Sequence, residues 1–203
     1  MVFAIDLEGV LAPEIWPLLG EHFDIPDLHL TTRDLGDFDE LMHRRVAATR
    51  ERGLTLRQLQ AVAHSIEPYL GAREFLSRLR AMGQVIIISD TFHELAEPLT
   101  QNRFEVDERG LLEGFKLRIR GLKERIVSGF HGAGFHVAAV GDSLNDRSIL
   151  AACDFPLLYR PVEGLRAQFP NATVAQHLDE ALAALEKAAA RYEGNAIDRG
   201  GRG

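Results

Sequence analysis

The sequence predicts an α/β fold, with a doubly wound, mainly parallel sheet as core and a small inserted helical cap. Three observations lead there. Four short apolar runs, Val2 to Ile5, Val85 to Ile88, Val137 to Val140 and Phe155 to Tyr159, are rich in β-branched residues and lack the alternation of a half-exposed strand. Helical patterns or longer insertions separate them, as in strands joined by crossovers that cover both faces of a sheet. Three of the runs end in acidic or hydroxyl residues, namely Asp6, Ser89 with Asp90, and Asp142 with Ser143. Open α/β sheets bind ligands at the carboxyl ends of their strands.

The first two runs lie too far apart for a single crossover helix, and the residues between them read as helices. Asp37 with Glu40 has the spacing of a capping box, and the helix it opens stops near Gly53. Thr55 with Gln58 marks the next start. Residues 14–70 therefore form the inserted cap, and residues 1–13 with 71–192 form the core. A core helix spans Ala72 to Met82, with Gly83 placed to end it. The segment from Phe104 to Ile119 reads as a β-hairpin turning at Glu108 to Gly110. Past the fourth run, HLDEALAALEKAAARY combines helical spacing with good helix formers, whereas residues 193–203 have little to bury and are expected to be disordered.

Bulk properties remove several classes of function. Thirty acidic against 23 basic side chains give a formal charge of -7, which opposes sequence-independent binding to nucleic acid or to anionic membranes. The opening MVFAIDLEGVLA has no basic lead and is broken by Asp6 and Glu8, so it does not read as a signal peptide. No apolar run approaches the ~20 residues needed to span a bilayer. Cys153 is the single cysteine, which rules out an internal disulfide framework and fits a reducing, cytoplasmic setting.

Two constellations carry chemistry. Asp6 and Glu8 flank Leu7 as the chain leaves the first strand, and alternate residues of an extended segment face one side. Both carboxylates can then address one pocket, one as nucleophile and the other handling protons or metal. An acid at a strand end is also an ordinary turn former. The second constellation is GDSLND, Gly141 to Asp146, where Asp142, Asn145 and Asp146 crowd a turn that opens a helix. Hard oxygen ligands without histidine or cysteine point to magnesium rather than zinc. The plainer alternative is a helix cap by Asp142 or Ser143. Ser89 and Lys123 add a hydroxyl and an ammonium suited to phosphoryl oxygens, although either residue alone is unremarkable. The eight histidines lack the i, i+4 pairing of a helical zinc site.

The order of these elements is more specific than any one of them. Asp-x-Glu-Gly-Val after the first strand, Ser-Asp-Thr after the second, a lysine, then Gly-Asp-Ser-x-Asn-Asp together resemble the haloacid dehalogenase superfamily, over the chain to about residue 175. The resemblance implies an aspartyl-phosphate enzyme in which Asp6 is the nucleophile and Ser89 and Lys123 bind phosphoryl oxygens. Asp142 would bind magnesium beside Asp6 and the backbone carbonyl of Glu8, with Asn145 and Asp146 in support. Within the superfamily the chain looks like phosphoserine phosphatases, and especially their variants that also use homoserine as a phosphoryl acceptor. The shared strings are DLEGV, Pro13 to Trp16, Thr31 to Asp34, Ser89 to Phe92 and GDSxND. Glu14 and Arg45 match residues that contact the substrate ammonium and carboxylate, and Phe38 matches an apolar neighbour. There are two departures. Glu8 stands where the superfamily usually has Asp, and Asp90 stands where phosphoserine phosphatases usually have a Gly whose amide approaches the phosphate. The rival readings are a phosphatase of another small phosphomonoester and a non-catalytic phosphate-binding protein.

Overall fold

The computed structural model describes residues 1–96, 102–117 and 123–199. In chain order, strand β1 (Val2–Ile5) precedes helices α1 (Ile15–Phe23), α2 (Thr32–Leu35), α3 (Phe38–Glu51), α4 (Leu56–Ala63) and α5 (Ala72–Met82). Strands β2 (Gln84–Ile87), β3 (Arg103–Val106) and β4 (Leu112–Lys116) follow, then α6 (Lys123–Gly132), β5 (Val137–Gly141), α7 (Arg147–Ala152), β6 (Phe155–Tyr159), α8 (Glu163–Gln168), β7 (Thr173–Ala175) and α9 (Leu178–Arg199). The chain divides into two compact units, one of residues 1–11, 68–88 and 121–203, the other of residues 12–67 and 89–120.

The first unit is built on a parallel sheet of order β2-β1-β5-β6-β7. Strand β1 is an inner strand, with β2 on one side and β5 on the other, so the winding reverses beside it. All four residues of β1 are buried, which is why the run is apolar throughout instead of alternating. Val2 and Ala4 join Val137, Ala139, Ile149, Leu158 and Leu165 in one core cluster. Helix α5 covers the expected residues, burying Ala72, Phe75 and Leu79 at helical spacing, and Gly83 ends it. Strand β7 was not anticipated; three residues offer too short a pattern to recognise.

The second unit has its own core, in which Trp16, Leu19, Leu28, Met42 and Leu59 pack with Phe92, Phe104 and Leu112. Helix α3 begins as expected, since Asp37 Oδ1 accepts from the Glu40 amide at 2.8 Å. The Glu40 carboxylate lies 3.5 Å from Arg44, one turn along the helix. Helix α4 opens with a full capping box between Thr55 and Gln58. Strands β3 and β4 form the antiparallel hairpin, with Phe104 opposite Phe115 and a positive φ at Gly110 in the turn. The expectation of a cap confined to residues 14–70 differs from this division. The hairpin groups with the helices because Phe104 and Leu112 are buried in their core.

Helix α9 continues to Arg199, into the stretch expected to be disordered. Residues 200–203, and the hairpin's expected end at Ile119, lie outside the described residues. Among the described residues no helix is long and apolar enough to cross a membrane.

Candidate active site

The carboxyl ends of β1 and β5 deliver the acidic residues of the first unit to one place. Asp6 extends β1, its amide donating to the Val140 carbonyl at 3.0 Å. Asp142 follows β5, and the chain then turns through a short 3-10 segment, Leu144–Asp146. The Asp146 carboxylate closes that turn, its Oδ2 accepting from the amides of Asp142 (3.1 Å) and Ser143 (3.4 Å). One carboxylate oxygen from each of Asp6, Asp142 and Asp146 lies within 4.8 Å of the other two. Lys123, the first residue of α6, places Nζ 2.9 Å from Asp146 Oδ1 and 3.7 Å from Asp6 Oδ1.

Burial makes this grouping consequential. Asp6 is 9% exposed, Asp142 8%, Asp146 1% and Lys123 4%. Two charges about 4 Å apart interact by ~4 kcal/mol at the effective dielectric of such sites. One ammonium among three carboxylates leaves a formal excess of two negative charges, a setting that suits a divalent cation. The donors are hard oxygens, with neither histidine nor cysteine among them, which fits magnesium. Asp146 engages both oxygens with protein donors, so its part in the cluster is to hold Lys123 and the turn.

Two glycines make room for the cluster. Gly9 has a φ of +79°, and a Cβ there would overlap the Asp142 carboxylate. A Cβ on Gly141 would overlap Asp146. Sequence reading missed both roles and underweighted Asp146. The available signal was the Asp142 to Asp146 interval across a turn that starts a helix.

The remaining expected residues are distributed as follows. Glu8 is partly buried, two residues beyond Asp6, and Asn145 is exposed on the 3-10 turn. In the second unit, the Ser89 hydroxyl pairs with the Thr91 hydroxyl at 2.8 Å and accepts from the Thr91 amide at 3.2 Å. The Asp90 carbonyl accepts from the Asn102 side-chain amide at 2.8 Å, which ties that loop to the start of β3. Glu14 stands at the N-cap of α1 without its side chain capping the helix. Phe38 begins α3 and packs, partly buried, on the unit's core. Arg45, on α3, is 5% exposed; Nη2 donates to the Leu30 carbonyl at 2.8 Å, and its guanidinium carbon lies 4.9 Å from the centre of the Trp16 ring. Thus Asp6, Lys123, Asp142 and Asp146 are gathered in the first unit, and Glu14, Phe38 and Arg45 belong to the second.

Residues 1–154, a span that includes every residue just described, match the sequence profile of haloacid dehalogenase-like hydrolases. The chain belongs to this family. It is 36% identical over 188 residues to a phosphoserine phosphatase of Pseudomonas syringae pv. tomato, covering 88% of this chain and 79% of that protein. It is likewise 36% identical over 179 residues to the phosphoserine phosphatase ThrH of Pseudomonas aeruginosa, covering 84% and 87%. Among solved structures, phosphoserine phosphatase from T. onnurineus superposes with a TM-score of 0.69 at 22% identity, covering 90% of this chain and 92% of that one. A substrate-bound phosphoserine phosphatase gives 0.70 at 18% identity, covering 87% and 92%. At these identities the superpositions establish the shared haloacid dehalogenase-like fold, and the profile establishes a hydrolase.

Proposed function

We propose that this hydrolase is a magnesium-dependent phosphoserine phosphatase that works through an aspartyl phosphate on Asp6 and can pass the phosphoryl group to homoserine. The observation that carries the chemistry is the buried grouping of Asp6, Asp142 and Asp146 with Lys123 3.7 Å from the Asp6 carboxylate. The substrate reading is supported by two relatives named as phosphoserine phosphatases. It is supported too by an acid and a buried arginine, Glu14 and Arg45, in the second unit. That unit acts as the substrate-reading cap, and the enzyme works in the cytoplasm on small molecules.

In the first step an Asp6 oxygen attacks phosphorus while the bond to the serine oxygen breaks, and Glu8 supplies the proton that serine takes away. In the second, Glu8 removes a proton from water as the water oxygen attacks phosphorus, which frees phosphate and restores the Asp6 carboxylate. Lys123, the Ser89 hydroxyl, the Asp90 amide and Asn145 donate to phosphoryl oxygens and stabilise the charge that moves onto them. Asp6, Asp142 and the backbone carbonyl of Glu8 would hold magnesium, which when bound would reduce the repulsion between Asp6 and the dianionic phosphoryl group. Arg45 takes the substrate carboxylate, Glu14 its ammonium, and Phe38 lies along its apolar part.

Glu8 reaches about a bond length further than aspartate, and displacements of ~1 Å are kinetically costly. Water is then activated less well than an amino-alcohol anchored by Glu14 and Arg45, and homoserine competes for the phosphoenzyme. A panel of phosphomonoesters, assayed with magnesium and after chelation, tests the first reading. Phosphoserine should be preferred and chelation should abolish turnover. A stronger preference for an ester lacking the amino-acid group, or unchanged rates after chelation, overturns it. Supplying homoserine should yield phosphohomoserine, and Glu8→Asp should shift the product ratio toward free phosphate. Absence of phosphohomoserine at saturating homoserine removes the transferase activity alone.

A further inference from the structure

The arginine proposed to read the substrate carboxylate is held by a specific neighbour. Arg45 and Trp16 are each 5% exposed, and the guanidinium carbon lies 4.9 Å from the indole centroid, inside the ~6 Å range of a cation–π contact. The Leu30 carbonyl takes a hydrogen bond from Nη2 at 2.8 Å, and Nη1 lies 3.7 Å from the Met42 sulfur. The indole is itself fixed. Phe104 meets Trp16 edge to face at 6.1 Å and 82°, and Phe92 stacks on Phe104 at 4.0 Å and 12°. All these groups belong to one compact unit, and Trp16, Met42, Phe92 and Phe104 share its core.

We propose that Trp16 is a positioning residue for substrate selection. Its indole face holds the Arg45 guanidinium in the orientation that receives an α-carboxylate, so the ring sets the preference for amino-acid phosphates over esters lacking that carboxylate. Bidentate recognition by arginine depends on the direction of its planar fork as well as on its charge. A long side chain that must be immobilised on binding weakens the complex, and one already held does not. The carbonyl bond fixes one nitrogen, and the indole face restrains rotation of the plane about that bond. The inference rests on the proposed role of Arg45, and its test separates the two.

Phosphoserine and phosphoethanolamine differ by the carboxylate alone, so the ratio of their kcat/KM values reads that contact and cancels any common loss. Trp16→Leu should lower the ratio about tenfold, within the range of a desolvated cation–π contact, and Trp16→Phe should restore most of it. In an Arg45→Ala background, Trp16→Leu should change the ratio no further. Equal losses for both substrates, or the same fall in ratio with and without Arg45, would overturn the inference. An unchanged ratio in Arg45→Ala alone would instead overturn the role of Arg45 itself. Trp16 is the chain's single tryptophan, so its emission provides a test that leaves the core intact. In Asp6→Asn, phosphoserine should shift the emission more than phosphoethanolamine does, and adding Arg45→Ala should remove that difference. Identical responses to the two ligands in Asp6→Asn would overturn the proposal even if Trp16→Leu fails to fold.

Discussion

An aspartate carboxylate lies beside each end of strand β5 and accepts from the backbone there, and the two ends differ in what neutralises it. At the carboxyl end Asp146 takes the amides of Asp142 and Ser143 and the ammonium of Lys123, all within a buried cluster. At the amino end Asp154 takes the Val137 amide at 2.8 Å, with His131 Nε2 at 2.7 Å and His136 Nδ1 at 3.2 Å. Those histidine side chains are 38% and 47% exposed, whereas the Lys123 side chain is 5% exposed. A buried carboxylate needs a fixed cation because water cannot stabilise it, while an open one can share solvent with titratable partners. The first arrangement is rigid and fits chemistry on a charged group; the second fastens the chain at the foot of the sheet.

The largest effects should come from breaking the buried end. Asp6→Asn should reduce phosphomonoester turnover by at least ~10⁴-fold while thermal melting stays close to wild type, because an amide is a poor nucleophile and a weak metal ligand. Substantial turnover in that variant excludes Asp6 as the nucleophile. Asp146→Ala should cost both activity and ~3–5 kcal/mol of stability, since Lys123 would lose its 2.9 Å partner and the turn amides their acceptor. Urea melts measure the stability, and a loss under about 1 kcal/mol would show that Lys123 is satisfied by Asp6 instead. Gly9→Ala comes next, at roughly 1–2 kcal/mol for the positive φ. Its Cβ should also displace the Asp142 carboxylate and raise the magnesium concentration needed for half-maximal activity. An unchanged magnesium titration would count against that clearance role.

Much of the buried end is legible in the sequence. Apolar runs that end in Asp6 and Asp142 follow from strands covered on both faces, and a parallel sheet brings their carboxyl ends together. The clearances are not legible, because the overlap that a Cβ on Gly9 or Gly141 would cause depends on side chains that only the fold brings near. The hairpin was recognisable as a hairpin, but its membership in the helical unit depends on Phe104 and Leu112 being buried there. Burial partners are a tertiary property, with no local signal in β3 or β4. The cradle of Arg45 is similar. The segment from Pro13 to Trp16 stands out in the sequence, yet nothing local says that the indole lies against a residue on α3. The open end of β5 is unreadable for a related reason, since His131, His136 and Asp154 show no zinc-like spacing and converge only where the fold brings α6 and the starts of β5 and β6 together.

The smallest effect should come from Asp154→Asn, and its pH dependence gives the comparison its sharpest form. Partial burial raises the Asp154 pKa, but the Val137 amide and the two histidines outweigh it and hold the carboxyl below its ordinary value of 3.8. A depressed carboxyl pKa contributes stability that is fully present above the unfolded-state value, and that contribution is lost as pH falls through the folded-state value. The other ionisable groups facing it are Cys153, whose thiol burial pushes up to about 11, and Tyr192, also raised by burial, with Arg191 beside it. Neither the thiol nor the phenol ionises in the acid range, so they leave the carboxyl's titration undisturbed there. Wild type should therefore exceed Asp154→Asn by no more than about 1 kcal/mol at neutral pH, as for exposed ion pairs. The gap should close below about pH 3.8 as the wild-type carboxyl protonates. Paired urea melts at pH 7 and pH 3 measure this. A gap near zero at both pH values would mean that the bond to Val137, which an amide oxygen can still accept, matters more than the charge. The two ends of β5 would then differ in burial alone, and not in how their charges are neutralised.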